Sequence, residues 1–159
     1  DKEGSVARSG KVDKLILNQA LENFNLESYY QKSLDTKDFD IFFAKGLSLE
    51  NGASTITDFT AKLIADGINY IEASIKLKNS KWLVCGGGRK NKYLLESIKH
   101  NFKKINLDPI DKYKIDGDFI ESQAFAFLAI RSLKGLPISF PSTTRCKESS
   151  TGGIIVNNF

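Results

Sequence analysis

The sequence predicts an α/β domain, and three observations lead there. Long amphipathic helical stretches alternate with a few short apolar strands, the pattern of an α/β lobe. The stretch Trp82-Leu83-Val84-Cys85-Gly86-Gly87-Gly88-Arg89-Lys90-Asn91 reads as a buried strand that breaks into a glycine turn and feeds a helix. Further on, Ile115-Asp116-Gly117-Asp118-Phe119-Ile120-Glu121-Ser122-Gln123-Ala124-Phe125-Ala126 opens a helix that is almost entirely apolar yet begins with two Asp and a Glu. Such a helix belongs inside a domain, with its charged first turn at a cleft.

The elements follow in chain order. Residues 1–10 are polar and glycine-bearing and read as a loop or arm. Over residues 11–23, Val12, Leu15, Ile16 and Ala20 recur at helical spacing, with Ser9 or Gly10 as the cap. Residues 26–31 read as a short helical turn, and residues 32–39 as a charged loop with no assigned chemistry. A long helix is expected from about Gly52 to about Ile75, behind the turn signal Asn51-Gly52. Its apolar stripe is Ile56, Phe59, Thr60, Leu63 and Ile64, continued by Ile68, Ile71 and Ile75. A strand follows at 81–85. Next comes a helix at 91–104 burying Leu94, Leu95, Ile98 and Phe102, then a short strand within 105–115. The apolar helix spans about 118–134 and stops at Gly135, with Pro137 just beyond. The Ser/Thr-rich tail ends in a short strand at Ile154-Ile155-Val156.

Composition narrows the function classes. A chain of 159 residues suffices for one domain with a real core, and a domain of this size buries roughly 70% of its unfolded surface. The net charge of +4 suits a phosphorylated ligand, but the basic residues are scattered among acids, as on an ordinary solvated surface. Phe125 and Phe127 read as core and not as a base-stacking platform, so no nucleic-acid partner is expected. No apolar run reaches the ~18 residues of a membrane helix. The two cysteines, Cys85 and Cys146, form no CxxC pair. Neither zinc nor a disulfide framework is indicated, and a cytoplasmic location fits. Cys85 reads as a small buried hydrophobe. His100, the one histidine, lies on the polar side of its helix, so Ser/His/Asp chemistry has no support.

Two constellations carry chemistry. Gly86, Gly87 and Gly88 let a backbone approach a phosphate, a ribose or an adenine, and the following helix offers free N–H groups. The alternative is a tight strand-to-helix turn and nothing more. The triplet lacks both the GK[ST] ending and the GxGxxG spacing. Asn91 reads first as the cap of the next helix and second as a candidate nucleotide contact beside the glycines. Asp118 and Glu121 have capping-box spacing. That explains Asp118 well. It explains Glu121 less completely, because a carboxylate at an enclosed helix start can also orient a water or bind a sugar hydroxyl.

At these stretches the chain resembles the C-terminal part of the anhydro-N-acetylmuramic acid kinases. The resemblance is carried by Cys85-Gly86-Gly87-Gly88 with Asn91, by the Asp116–Ala126 block, by Gly135-Leu136-Pro137 and by Thr151-Gly152-Gly153. Upstream it is carried by Ala7-Arg8-Ser9-Gly10-Lys11-Val12, Lys32-Ser33-Leu34-Asp35 and residues 47–60. It covers essentially the whole chain in order. It implies an actin-like ATPase (ribonuclease H-like) fold, of which residues 1–159 would be the C-terminal nucleotide-binding lobe, an incomplete sheet with long helices. It also implies an ATP- and Mg2+-dependent sugar kinase of peptidoglycan recycling that hydrolyses and phosphorylates 1,6-anhydro-N-acetylmuramic acid. Carried over residue by residue, Gly86, Gly87 and Gly88 border the nucleotide, and Glu121 helps hold the attacking water. Other sugar kinases or ATPase lobes of this superfamily, or a non-catalytic interaction module, are the alternatives.

The family's N-terminal Gly-Thr-Ser-x-Asp-Gly turn has no counterpart here. Neither does its Asp-Thr-Gly-Pro-Gly-Asn segment, which carries the aspartate base. The expectation is therefore a lobe without the kinase's own base, inactive in isolation. Its uncovered apolar surface is expected to drive self-association, a homodimer included.

Overall fold

One long helix organises the polypeptide. In the computed structural model, residues 1–24, 35–76, 80–102 and 105–156 are described. The expected turn at 26–31 and residues 32–34 of the 32–39 loop lie outside them; the described part of that loop holds a 3-10 turn at Thr36–Asp38. In order, the helices among the described residues are α1 (Ser5–Ser9), α2 (Lys14–Asn23), α3 (Leu49–Ser74), α4 (Lys92–Asn101), α5 (Ile120–Leu133) and α6 (Pro141–Thr144). The strands are β1 (Lys81–Val84) and β2 (Asn106–Pro109). The expected α/β class is met in part: the chain is mostly helical, and its sheet is a two-stranded parallel pair with Trp82 opposite Leu107. Parallel strands need a crossover, and α4 supplies it.

Helix α3 is the spine and is buried on two sides. Phe59 faces α2, where it joins Leu17 and Ala20, flanked by Val12, Leu21, Phe24, Phe43 and Leu63. The Phe24 ring meets Phe59 edge-on at 5.9 Å. On the other side Ala61 meets Ile98 of α4 and Leu107 of β2, beneath Trp82, Val84, Leu94 and Leu95. Small residues there let the helices approach closely: Ser54 and Ala61 are fully buried, and the Ser54 hydroxyl lies 3.1 Å from that of Tyr93. Thr55 closes a second polar junction, accepting from the Asp13 N–H at 3.0 Å and donating to the Asn51 carbonyl at 2.7 Å.

Several expectations are corrected. Residues 1–10 are not a free arm. A 3-10 turn at Lys2–Gly4 leads into α1, whose first turn is capped from a distance, because the Asp1 carboxylate accepts from the N–H groups of Val6 and Ala7 at 2.9 and 3.0 Å. Ala7 is buried. The cap of α2 is Asp13, accepting from Ile16 N–H at 3.0 Å, and not Ser9 or Gly10. Ala20 of the expected face is buried together with Leu17, whereas Leu15 is 78% exposed. Helix α3 begins before the Asn51-Gly52 signal, because Ser48 caps it by accepting from Asn51 N–H. Phe59 and Ile68 of its stripe are buried, whereas Ile64, Ile71 and Ile75 are exposed.

Cys85 is exposed, not buried. Helices cover the sheet face of Trp82 and Val84, while Lys81, Leu83 and Cys85 fall on the open face. The largest departure is α5. Its limits and its stop match expectation, with Gly135 at φ +65° and the Arg131 side chain donating to the Pro137 carbonyl. Yet it has no buried residue, and Phe125 and Phe127 are 65% and 60% exposed. A helix apolar on all sides needs cover on several, and among the described residues residues 138–155 flank only one. The expected strand at Ile154-Ile155-Val156 does not form; among the described residues the tail pairs through an isolated antiparallel bridge between Ser139 and Ser150.

Candidate functional site

Gly86, two residues beyond the end of β1, holds a conformation that no side chain tolerates well, φ +73° and ψ −175°. This kink throws the chain off the strand and into the 3-10 turn Gly87–Lys90. Asn91 then caps α4, its side-chain oxygen accepting from Leu94 N–H at 2.9 Å, as expected. Gly87 and Gly88 differ from Gly86. Neither has a positive φ, both are exposed, and a Cβ on either would meet no atom within 4 Å. The turn itself therefore requires glycine at Gly86 and not at its two successors.

The glycine loop is bound to the turn that leads into α5. Gly86 N–H donates to the Gly117 carbonyl at 3.2 Å. Over this contact lies the Arg89 guanidinium, in a residue only 8% exposed. It forks onto Asp111, Nε to Oδ2 at 2.7 Å and Nη2 to Oδ1 at 3.1 Å. Nη1 donates to Asp118 Oδ1 at 2.8 Å and to the Gly86 carbonyl at 2.9 Å. Asp116 stands 3.9 Å from Nη2. A methyl group at Gly117 would collide with this guanidinium, so the close approach demands glycine there. Lys90 adds a second cation to Asp118 at 2.7 Å.

These contacts set the charges. Hydrogen bonding to Asp111 and Asp118 outweighs desolvation and raises Arg89 above its ordinary value. The Arg89 fork pushes the Asp111 carboxyl down to about 2. Asp118, held by Arg89 and then by Lys90, lies well below the usual carboxylate range. All three therefore stay ionised across the physiological range.

The expected capping box is absent. Phe119, not Asp118, is the N-cap of α5, and no side chain caps that helix. Two cations outcompete backbone N–H groups for the Asp118 carboxylate. Glu121 sits on the first turn of α5, exposed and outside this network. A hollow of about 560 Å³ lies against α5, between its Phe125, Leu128 and Ser132 and the chain at Thr151–Ile155. Another, of about 670 Å³, is lined by Gly87, Arg89, Lys90, Asn91, Lys92, Leu95 and Pro109 together with Asp1, Lys2 and Glu3. Gly87 and Asn91 thus share a hollow; Glu121 is not among its lining residues. His100 is solvent-exposed, as expected.

Sequence reading missed Arg89 and Asp111. The one signal was an arginine directly after the glycine triplet in a chain where Lys far outnumbers Arg. Forked recognition of carboxylates is what Arg does and Lys does not.

Comparison with known proteins first fixes the class, that of a kinase family. The chain belongs to the anhydro-N-acetylmuramic acid kinase family, whose model matches residues 1–158. It is 50% identical over 161 residues to the anhydro-N-acetylmuramic acid kinase of Pelagibacter ubique, covering 100% of this chain and 43% of that protein. The kinases so named from Brucella anthropi and Rhodospirillum rubrum are 40% and 39% identical, with 98% and 96% of this chain covered and 41% and 40% of theirs. The chain thus spans about two fifths of the length of the curated relatives it matches. Membership implies an actin-like ATPase fold. No described helix is long and apolar enough to cross a membrane.

Proposed function

We propose that this chain is the part of an anhydro-N-acetylmuramic acid kinase that lines one side of the ATP site with Gly86, Gly87 and Gly88 and contributes Glu121 to the sugar side. The single observation that carries this reading is the pair Gly87 and Gly88. The fold has no steric need of glycine at either position, and both lie open to an approaching ligand. A bare backbone there suits phosphate or adenine.

The reaction is the hydrolysis and phosphorylation of 1,6-anhydro-N-acetylmuramic acid in peptidoglycan recycling, in the cytoplasm. Water attacks the anomeric carbon, the bond from that carbon to the bridging oxygen breaks, and the freed oxygen takes the γ-phosphoryl group of ATP. The products are N-acetylmuramic acid 6-phosphate and ADP. Such transfer depends on positioning and charge neutralisation. Glu121, an exposed carboxylate outside the Arg89 network, is free to accept a hydrogen bond from the attacking water. The water's proton goes to the family's aspartate, in the segment that has no counterpart here. Asp111 and Asp118 are committed to Arg89 and Lys90 and make poor ligands for a dication. Mg2+ would therefore come with the ATP phosphates and supply charge neutralisation there.

The test exchanges this chain for the matching segment of the Pelagibacter ubique relative and follows sugar phosphate by mass spectrometry. The exchanged enzyme should turn over, its Glu121→Gln version should lose most of that rate, and the chain alone should form no product. Turnover by the chain alone, or full activity with Glu121→Gln, would refute the assignment.

A further inference from the structure

We infer that Arg89 is a positioning residue for the nucleotide site, fixing the glycine loop against the turn that leads into α5. This rests on the reading of Gly86–Gly88 as the nucleotide edge. The geometry makes the guanidinium the common partner of three separate segments. It binds the loop through the Gly86 carbonyl, the α5-leading turn through Asp118, and the turn after β2 through both oxygens of Asp111. Its side chain is only 6% exposed, so Arg89 has little surface left to offer a ligand directly. What it can do is hold Gly87 and Gly88 in place from behind.

Apart from Arg89, the loop and the α5-leading turn are joined by one backbone hydrogen bond of 3.2 Å, from Gly86 to Gly117, and by the exposed Lys90–Asp118 ion pair. Such links, in a loop whose next two residues are exposed glycines, leave wide conformational freedom. The guanidinium removes it by fixing both ends. Gly117 fits this role, since only the absence of a side chain there lets the guanidinium lie flat against the turn. Nucleotide then meets a loop already ordered, and the entropy of ordering is not charged against binding. A lysine at this position keeps the charge but cannot fork onto Asp111 while reaching Asp118 and Gly86.

The test uses amide chemical-shift titration of this chain with ATP, a readout that tolerates weak affinity. Wild type should show saturable shifts at Gly86, Gly87 and Gly88. Arg89→Lys should stay folded and bind ATP at least fivefold more weakly. Asp118→Asn, a milder cut in the same network, should weaken binding about twofold. Ile98→Val, which lowers stability by loosening the core away from the loop, should leave ATP affinity unchanged. A purely structural role for Arg89 predicts instead that Arg89→Lys and Ile98→Val behave alike at temperatures where both are folded, and that result, or wild-type affinity in both network variants, would overturn the proposal. Absence of ATP shifts in wild type is a different failure, since it removes the nucleotide reading of the glycine loop and this inference with it.

Discussion

Alanine substitution along the glycine triplet separates a ligand-facing backbone from a mere tight turn. At Gly88 a Cβ meets nothing within 4 Å and φ is ordinary. Gly→Ala at such a site stabilises by ~0.4–1 kcal/mol, because the unfolded chain loses freedom. For a domain of this size that raises Tm by roughly 1–4 °C. At Gly86, with φ +73° and ψ −175°, the same change forces a side chain into a region that is essentially glycine's alone. It should cost ~1–3 kcal/mol, a fall of roughly 2–12 °C. Scanning calorimetry measures both. The ATP titration should rank the variants differently from stability: Gly88→Ala, though no less stable, should bind ATP at least fivefold more weakly, because its methyl occupies the space a phosphate or adenine would approach. If Gly88→Ala melts no lower than wild type and binds ATP equally well, the glycine is incidental. If it melts several degrees lower, the turn itself requires it. Either outcome refutes the reasoning.

Other consequences are direct. Phe59→Ala removes the aromatic centre of the α2–α3 core and should cost ~3–5 kcal/mol in urea unfolding. Asn91→Ala removes the α4 cap and should cost ~1 kcal/mol by the same assay. The Arg89–Asp111 pair should make stability depend on acid. Asp111 has a folded value of about 2 against an ordinary 3.8, so its contribution is fully present above about pH 4 and is lost as pH falls through 2. Thermal melts from pH 5 to pH 2 should show that fall, and Asp111→Asn should flatten it. The uncovered helix α5 should drive self-association, and the charge of Leu133→Glu should lower the sedimentation-derived mass toward that of the monomer.

The elements legible in the sequence were those whose signals are local. The glycine kink, the Asn91 cap, the strand at residue 81 and the Gly135 stop are each fixed by residues next to them. Helix α3 showed its period but not its face. Its burial is decided by two different neighbours, so Ser54 and Ala61 go inside while Ile64 and Ile71 stay half in solvent. Helix α1 was invisible because its cap comes from Asp1, several residues upstream, and its support comes from burial of Ala7. The apolar context of Cys85 and Phe125 predicts burial. Strand pairing and helix cover decide that instead, and neither is a property of the local sequence. At the site, sequence singled out the glycines and Glu121, whereas the Arg89 network joins residues far apart in the chain and only the fold assembles it.

The most direct measurement is an isotope-edited amide spectrum of this chain recorded with increasing ATP. A nucleotide edge at the glycine loop predicts saturable shifts centred on Gly86, Gly87 and Gly88. Spectra that stay unchanged at those three amides, or shifts confined to residues away from the glycine loop, would contradict it.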